Sequence, residues 1–210
     1  MPEEPRDSPT VPRDGSAADP AVTDRATIDV LGDIVRSRRT SLIVDPHAPV
    51  PDDLIDQLLE LAVWAPNHKR TWPWRFTVFR GDGRSRLGET MATAAEKAGL
   101  PDNKVEKLRS KYLRSPVVVV VSSAADDDPV RHAENRDAVA ASVQNMLLGA
   151  TALGLASHWA TIDGVAAPAV RALCDVGPTD ELVALVYLGW PTGEVSTPTR
   201  PSPEVRRIDR

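Results

Sequence analysis

The sequence predicts a mixed α/β domain, a sheet covered by helices. Three kinds of stretch carry that expectation. "SPVVVVVSS" (115–123) and "ELVALVYLGWP" (181–191) are unbroken apolar runs of strand length, the pattern of strands buried on both faces. "WRFTVFR" (74–80) alternates instead, as a strand with two unlike faces does. "ENRDAVAASVQNMLLGATALG" (134–154) is apolar almost all round, which suits a helix inside a large core or a subunit interface. At 210 residues and 41% hydrophobic, one domain buries roughly 70% of its unfolded surface and needs no staple.

In chain order, residues 1–25 hold six acids (Glu3, Glu4, Asp7, Asp14, Asp19, Asp24) against three arginines, so −3 of the net −5 sits there. With its prolines and no apolar face, this segment reads as a disordered tail. It has neither the basic start nor the apolar middle of a signal peptide. The folded unit is expected over 26–195, with 196–210 as a C-terminal extension. Ile28, Leu31, Ile34 and Val35 have helical spacing and run into the basic turn "RSRRTS" (36–41). A second helix starts at Pro51 with Asp52 and Asp53 in its first turn. Leu54, Leu58, Leu61 and Ala65 form its stripe, flanked by Ile55 and Ala62, and Pro66 stops it. "GDG" (81–83) turns the alternating strand into a helix with Leu87, Met91, Ala94 and Ala98 on one face. Residues 103–114 make a shorter amphipathic helix through Val105, Leu108 and Tyr112. "LASHWAT" (155–161) reads as a strand or extended turn, "APAVRALC" (167–174) as a short helix, and the residues after 191 as an extended tail.

Composition excludes several functions. A net charge of −5 argues against nucleic acid as a partner. No apolar run reaches the 18 or so residues a membrane span needs, so no membrane partner is expected. One cysteine, Cys174, forbids an internal disulfide and fits a reducing compartment, so the cytoplasm is the expected location. His47, His68, His132 and His158 are scattered without metal-ligand spacing, and no metal site is expected. There is no Gly-x-Ser-x-Gly elbow, and Cys174 follows an apolar helix face, as an inert buried thiol does. "GDGRSR" (81–86) lacks the third glycine of a dinucleotide loop and reads as a plain turn.

Two motifs remain. In "RSRRTS", Arg36, Arg38 and Arg39 stand beside the hydroxyls of Ser37, Thr40 and Ser41. Guanidinium groups hold phosphate bidentately. A cationic helix end also arises with no ligand, because the macrodipole favours it. "WAPNHKRTWPWRFTVF" (64–79) places Trp64, Trp72 and Trp74 around Asn67, His68, Lys69 and Arg70 at a helix–strand junction. The rings fit a core or an interface. Flat rings beside amide and cationic donors also fit a planar, polar heterocycle.

With these stretches in hand, the chain resembles the flavin-dependent nitroreductase family. "RSRRTS" is similar to that family's Arg-Arg-Ser signature. "LLELAVWAPNHKRTWPWRFTVF" (58–79) resembles its helix, Ala-Pro loop and Pro-Trp strand. "SVQNMLLGATALGLASHWAT" (142–161) resembles its long central helix and the strand after it, and "LVYLGWP" (185–191) its last strand and turn. The likeness runs over about 28–195, and the loop looks closest to a small subgroup named as NAD(P)H nitroreductases.

The resemblance implies an α+β fold of three α/β/α layers. In it a mostly antiparallel central sheet is flanked by helices, in a homodimer with swapped tails. It implies two FMN molecules at the dimer interface and NADH or NADPH as donor. The acceptor would be a small electron-poor molecule such as a nitroaromatic or quinone, with donor and acceptor using the site in turn. Arg38, Arg39 and Thr40 would hold FMN through phosphate and ribityl oxygens. Trp64 and His68 would approach the flavin, and Trp159, Ala160 and Thr161 would lie along the ring edge. Arg200 would reach the phosphate from the tail. No catalytic acid or nucleophile is implied, and Arg39 and Lys69 are the residues placed to tune the flavin. Trp72 stands where the family often has Gln, and Trp64 where it has a smaller or cationic residue. Both bear on substrate range, and a flavin-binding member with little turnover, serving storage or regulation, is the alternative.

Overall fold

Val117–Ser123 (β2) is buried at every position, and that one strand organises the molecule. A strand with no polar face must be covered on both sides. Its odd-numbered valines, Val117, Val119 and Val121, pack into one apolar cluster with Leu58, Val143 and Met146. Its even-numbered ones, Val118 and Val120, pack into a second with Leu87, Met91 and Tyr112. The computed structural model describes residues 25–162 and 164–209. The expected disordered tail, 1–25, lies outside the described residues except for Arg25, where the first helix begins.

The elements follow the expected order. Helices α1 (Arg25–Ser37) and α2 (Asp52–Val63) precede β1 (Trp74–Arg80); α3 (Asp82–Lys97) and α4 (Asp102–Ser110) precede β2. Then come α5 (Pro129–Ala152), β3 (Ala156–Ala160), α6 (Ala167–Leu173) and β4 (Glu181–Gly189). The four strands form one sheet in the order β1-β2-β4-β3, and each neighbouring pair is antiparallel. Helices α2 and α5 cover one face and α3, α4 and α6 the other, giving three layers. The long helix α5 is N-capped by Asp128, whose side chain accepts from the Val130 amide. Among the described residues no helix is long and apolar enough to cross a membrane.

Three local outcomes depart from the periodic reading. In α2 the buried residues are Ile55, Leu58 and Ala62, while Leu61, expected on the stripe, is 43% exposed. In α3 burial falls on Leu87, Gly88, Met91, Ala92 and Ala95 rather than on Ala94 and Ala98. The cause is α4: a Cβ on Gly88 would lie 2.1 Å from the Arg109 carbonyl oxygen, so the helices meet at that glycine and the buried face turns toward it. The amphipathic stretch 103–114 is split, with a 3-10 turn (Lys111–Arg114) following α4 and carrying the fully buried Tyr112. Gly81 takes φ 48° ahead of α3, as the plain-turn reading of "GDG" requires.

Helix α1 is the outlier. Ile28, Leu31 and Val35, its apolar face, stay 55%, 48% and 48% exposed.

Candidate functional site

The arginine turn leaves α1 and enters a segment held at both ends. Thr40 pairs with Ser157 in a parallel bridge to β3, and the Ser41 amide donates to the Ser157 carbonyl at 2.9 Å. Four residues on, Val44 bridges Pro191, and the Asp45 amide donates to the Trp190 carbonyl at 3.0 Å. Residues 40–45 are thus tied between the edge of the sheet and the start of the C-terminal tail. This fixes Arg38 and Arg39 next to Thr197, Pro198 and Arg200.

The result is a cavity of about 560 Å³ lined by Arg36, Arg38, Arg39 and Arg200, with Gln144 from α5 and Thr197 from the tail. Arg39 has two roles there. Its Nη1 donates to the carbonyls of Arg36 at 2.5 Å and Arg38 at 2.9 Å, which closes the helix end as the ligand-free reading of the run expects. Its Nε is buried and has no partner among the described residues. A buried guanidinium N–H without an acceptor costs about 1–3 kcal/mol, so an acceptor from outside the chain is favoured. The buried Ser157 Oγ, beside the Thr40 bridge, likewise lacks a partner. Arg39 also borders a second depression of about 380 Å³ with Ser37, Ser41, Thr151 and Glu194. This donor set, guanidinium groups with an amide and a hydroxyl, suits a phosphate monoester. Among the described residues no group of three or more His, Cys, Asp or Glu side chains is placed to hold a metal ion.

The remaining residues singled out by sequence divide as follows. Thr40 is exposed and does not line the cavity. Trp159 and Ala160 are half-buried at the end of β3, and Thr161 follows them exposed. Trp64 is 76% exposed at the end of α2, its Nε1 donating to Glu60 Oε1 at 2.5 Å. His68 Nδ1 lies 2.8 Å from Glu134 Oε2 on α5, and Lys69 points to solvent. Within one chain the structure therefore gathers Arg38, Arg39 and Arg200. Trp64, His68 and Lys69 sit on a separate loop. Arg36, Gln144 and Thr197 were not singled out as ligands; only the density of arginine in "RSRRTS" hinted at Arg36.

A competing depression of about 340 Å³ next to His47, Arg80 and Arg84 is less suited to an anion. Arg80 pairs with Asp52, and Arg84 donates to the carbonyls of Ser115 at 2.7 Å and Pro46 at 3.3 Å.

Comparison with known proteins agrees with this architecture. A protein of Escherichia coli K12, provisionally named NAD(P)H nitroreductase YdjA, is 29% identical over 171 residues, 81% of this chain and 92% of its own length. The crystal structure of a nitroreductase-like family protein from Bacillus cereus superposes with a TM-score of 0.73 at 24% identity, covering 82% of this chain and 91% of that one. The FMN-dependent nitroreductase NfnB of Mycobacterium smegmatis, solved with NADPH, superposes at 0.68 with 20% identity over 88% of this chain and all of its own. These superpositions give the chain the nitroreductase-like α+β fold. The family model described as the nitroreductase family matches residues 35–190, from the arginine turn to the last strand, and the chain belongs to that family.

Proposed function

We propose that this protein is an FMN-dependent oxidoreductase that carries a hydride from NADH or NADPH to a small electron-poor acceptor, such as a nitroaromatic or a quinone, as a cytoplasmic homodimer. The observation that carries the reading is the arginine cavity, where a buried Arg39 Nε awaits an acceptor. It includes Arg38, Arg39 and Arg200, three of the residues that the family resemblance implies for FMN. FMN, when bound, supplies the two-electron chemistry, so donor and acceptor use one site in turn.

The chain's own work is binding and orientation. Arg38 and Arg39, with Arg36 and Arg200 beside them, hold the phosphate, and the Thr40 hydroxyl, exposed next to β3, holds ribityl oxygens. Trp159, Ala160 and Thr161, at the end of the sheet, would lie along the ring edge. Trp64 and His68 would approach the flavin from the loop. Arg39 and Lys69 would supply positive charge to tune the flavin. The exposed Ile28, Leu31 and Val35 of α1 form the kind of apolar surface that a second copy covers.

A second reading has one observation in its favour. Trp64 and Trp72 stand 76% and 54% exposed on the loop, large enough to close the open face of a flavin and leave a binder with little turnover. One experiment separates the two. Protein purified with added FMN should be yellow, bleach on anaerobic addition of NADPH, and oxidise NADPH steadily when a quinone is supplied. Yellow protein that does not turn over favours storage. Colourless protein overturns both.

A further inference from the structure

The loop between α2 and β1 holds three non-glycine residues in the left-handed region: Lys69 at φ 60°, Arg70 at 53° and Trp72 at 49°. Each costs about 1–2 kcal/mol for an L-residue, so something outside the loop must hold it. The hydrogen bonds show what does. Asn67 Oδ1 accepts from the Trp72 amide at 2.9 Å, and Asn67 Nδ2 donates to Thr71 Oγ1 at 3.0 Å. The Thr71 hydroxyl donates in turn to Asn135 Oδ1 at 2.5 Å. Asn135 lies on α5, is 3% exposed, and donates to the Ala124 carbonyl at 3.4 Å. The Ala124 amide closes the circuit on the Pro73 carbonyl at 2.7 Å. The neighbouring Glu134 meets His68 on the outside of the same turn. Asn135 is thus a buried amide on the inward face of α5, with its bonds spent on the loop and on the residue that follows β2.

We infer that Asn135, acting through the Thr71 hydroxyl, is the positioning residue of the 67–72 loop, holding Lys69, Arg70 and Trp72 in their left-handed form. That this loop also governs acceptor recognition rests on the function proposed above; the latch itself does not. A network satisfied at every member holds one geometry, and removing a single hydroxyl breaks it.

The test uses trypsin, because Lys69 and Arg70 are themselves cleavage sites. Thr71→Val removes the hydroxyl at nearly constant shape, Thr71→Ser keeps it, and Asn135→Ala removes its acceptor. The expected result is that T71V and N135A are cut after Lys69 and Arg70 about tenfold faster or more. T71S should stay near the parent. The double variant T71V/N135A should be no faster than either single one, and cleavage after Arg131, on the same helix, should stay unchanged. Parental cleavage of T71V, or an equal rise after Arg131, overturns the inference. The second arm reads kinetics in FMN-loaded protein. A rise in KM for a quinone with kcat retained in T71V, restored in T71S, places the loop at the acceptor site. Fast cleavage with an unchanged KM leaves the latch standing and counts instead against the loop's proposed place beside the flavin.

Discussion

Arg39 closes the end of α1 with one terminal nitrogen while its Nε stays buried and unmatched. Charge-assisted bonds to phosphate contribute about 1.5–3 kcal/mol each. Arg39→Met should therefore weaken FMN retention roughly tenfold to a hundredfold, measured by visible absorbance after dialysis. Arg80→Met, whose guanidinium already pairs with Asp52, should retain the parental affinity. The buried Tyr187 allows a pH prediction. Burial pushes its phenol up to about 12 from the usual 10, opposed by the nearby Arg114. Unfolded chains release this proton above pH 10, whereas folded ones keep it until about 12, so stability falls as pH rises through that window. The loss amounts to roughly 3 kcal/mol. Tyr187→Phe should flatten the fall in Tm between pH 10 and 12, whatever it does at pH 7.

Among the elements, α3 and α4 meet closely at Gly88. A Cβ there meets backbone, not a side chain that can swing away. Gly88→Ala should cost about 1–3 kcal/mol and lower Tm by roughly 2–4 °C for each kcal/mol, read by thermal melting. The same contact explains how far sequence patterns reached. β1 and β2 were legible because alternation and an unbroken valine run report their own environment directly. The buried face of α3 was only half legible, because a glycine that admits a neighbouring helix leaves no mark in apolar spacing. The left-handed loop was illegible. Lys69, Arg70 and Trp72 are not the residues that signal positive φ, and their conformation is imposed by Asn135, 64 positions beyond Thr71. Arg38, Arg39 and Arg200 could be named from a resemblance. Gln144 and Thr197 could not, because their place in the cavity depends on how the tail returns past α5.

For the whole molecule, the expected outcome is a dimer. The exposed row on α1 has helical spacing and no cover among the described residues. Replacing Ile28 and Leu31 together by Asp should shift the sedimentation coefficient to that of a monomer. If the site is shared between copies, the flavin should be lost with it. A monomeric parent protein saturated with FMN would contradict the assembly while leaving the arginine cavity intact. Three layers around a fully buried strand need no partner to fold, so the double-aspartate variant should keep its far-UV circular dichroism.

The uncovered row on α1 also has a bearing on biogenesis. If a second copy covers that row, a newly translated chain spends its first moments alone, with isoleucine, leucine and valine facing water. Synthesis that outruns encounter should send chains into inclusion bodies, and slower induction or two copies fused in tandem should bring them back into solution.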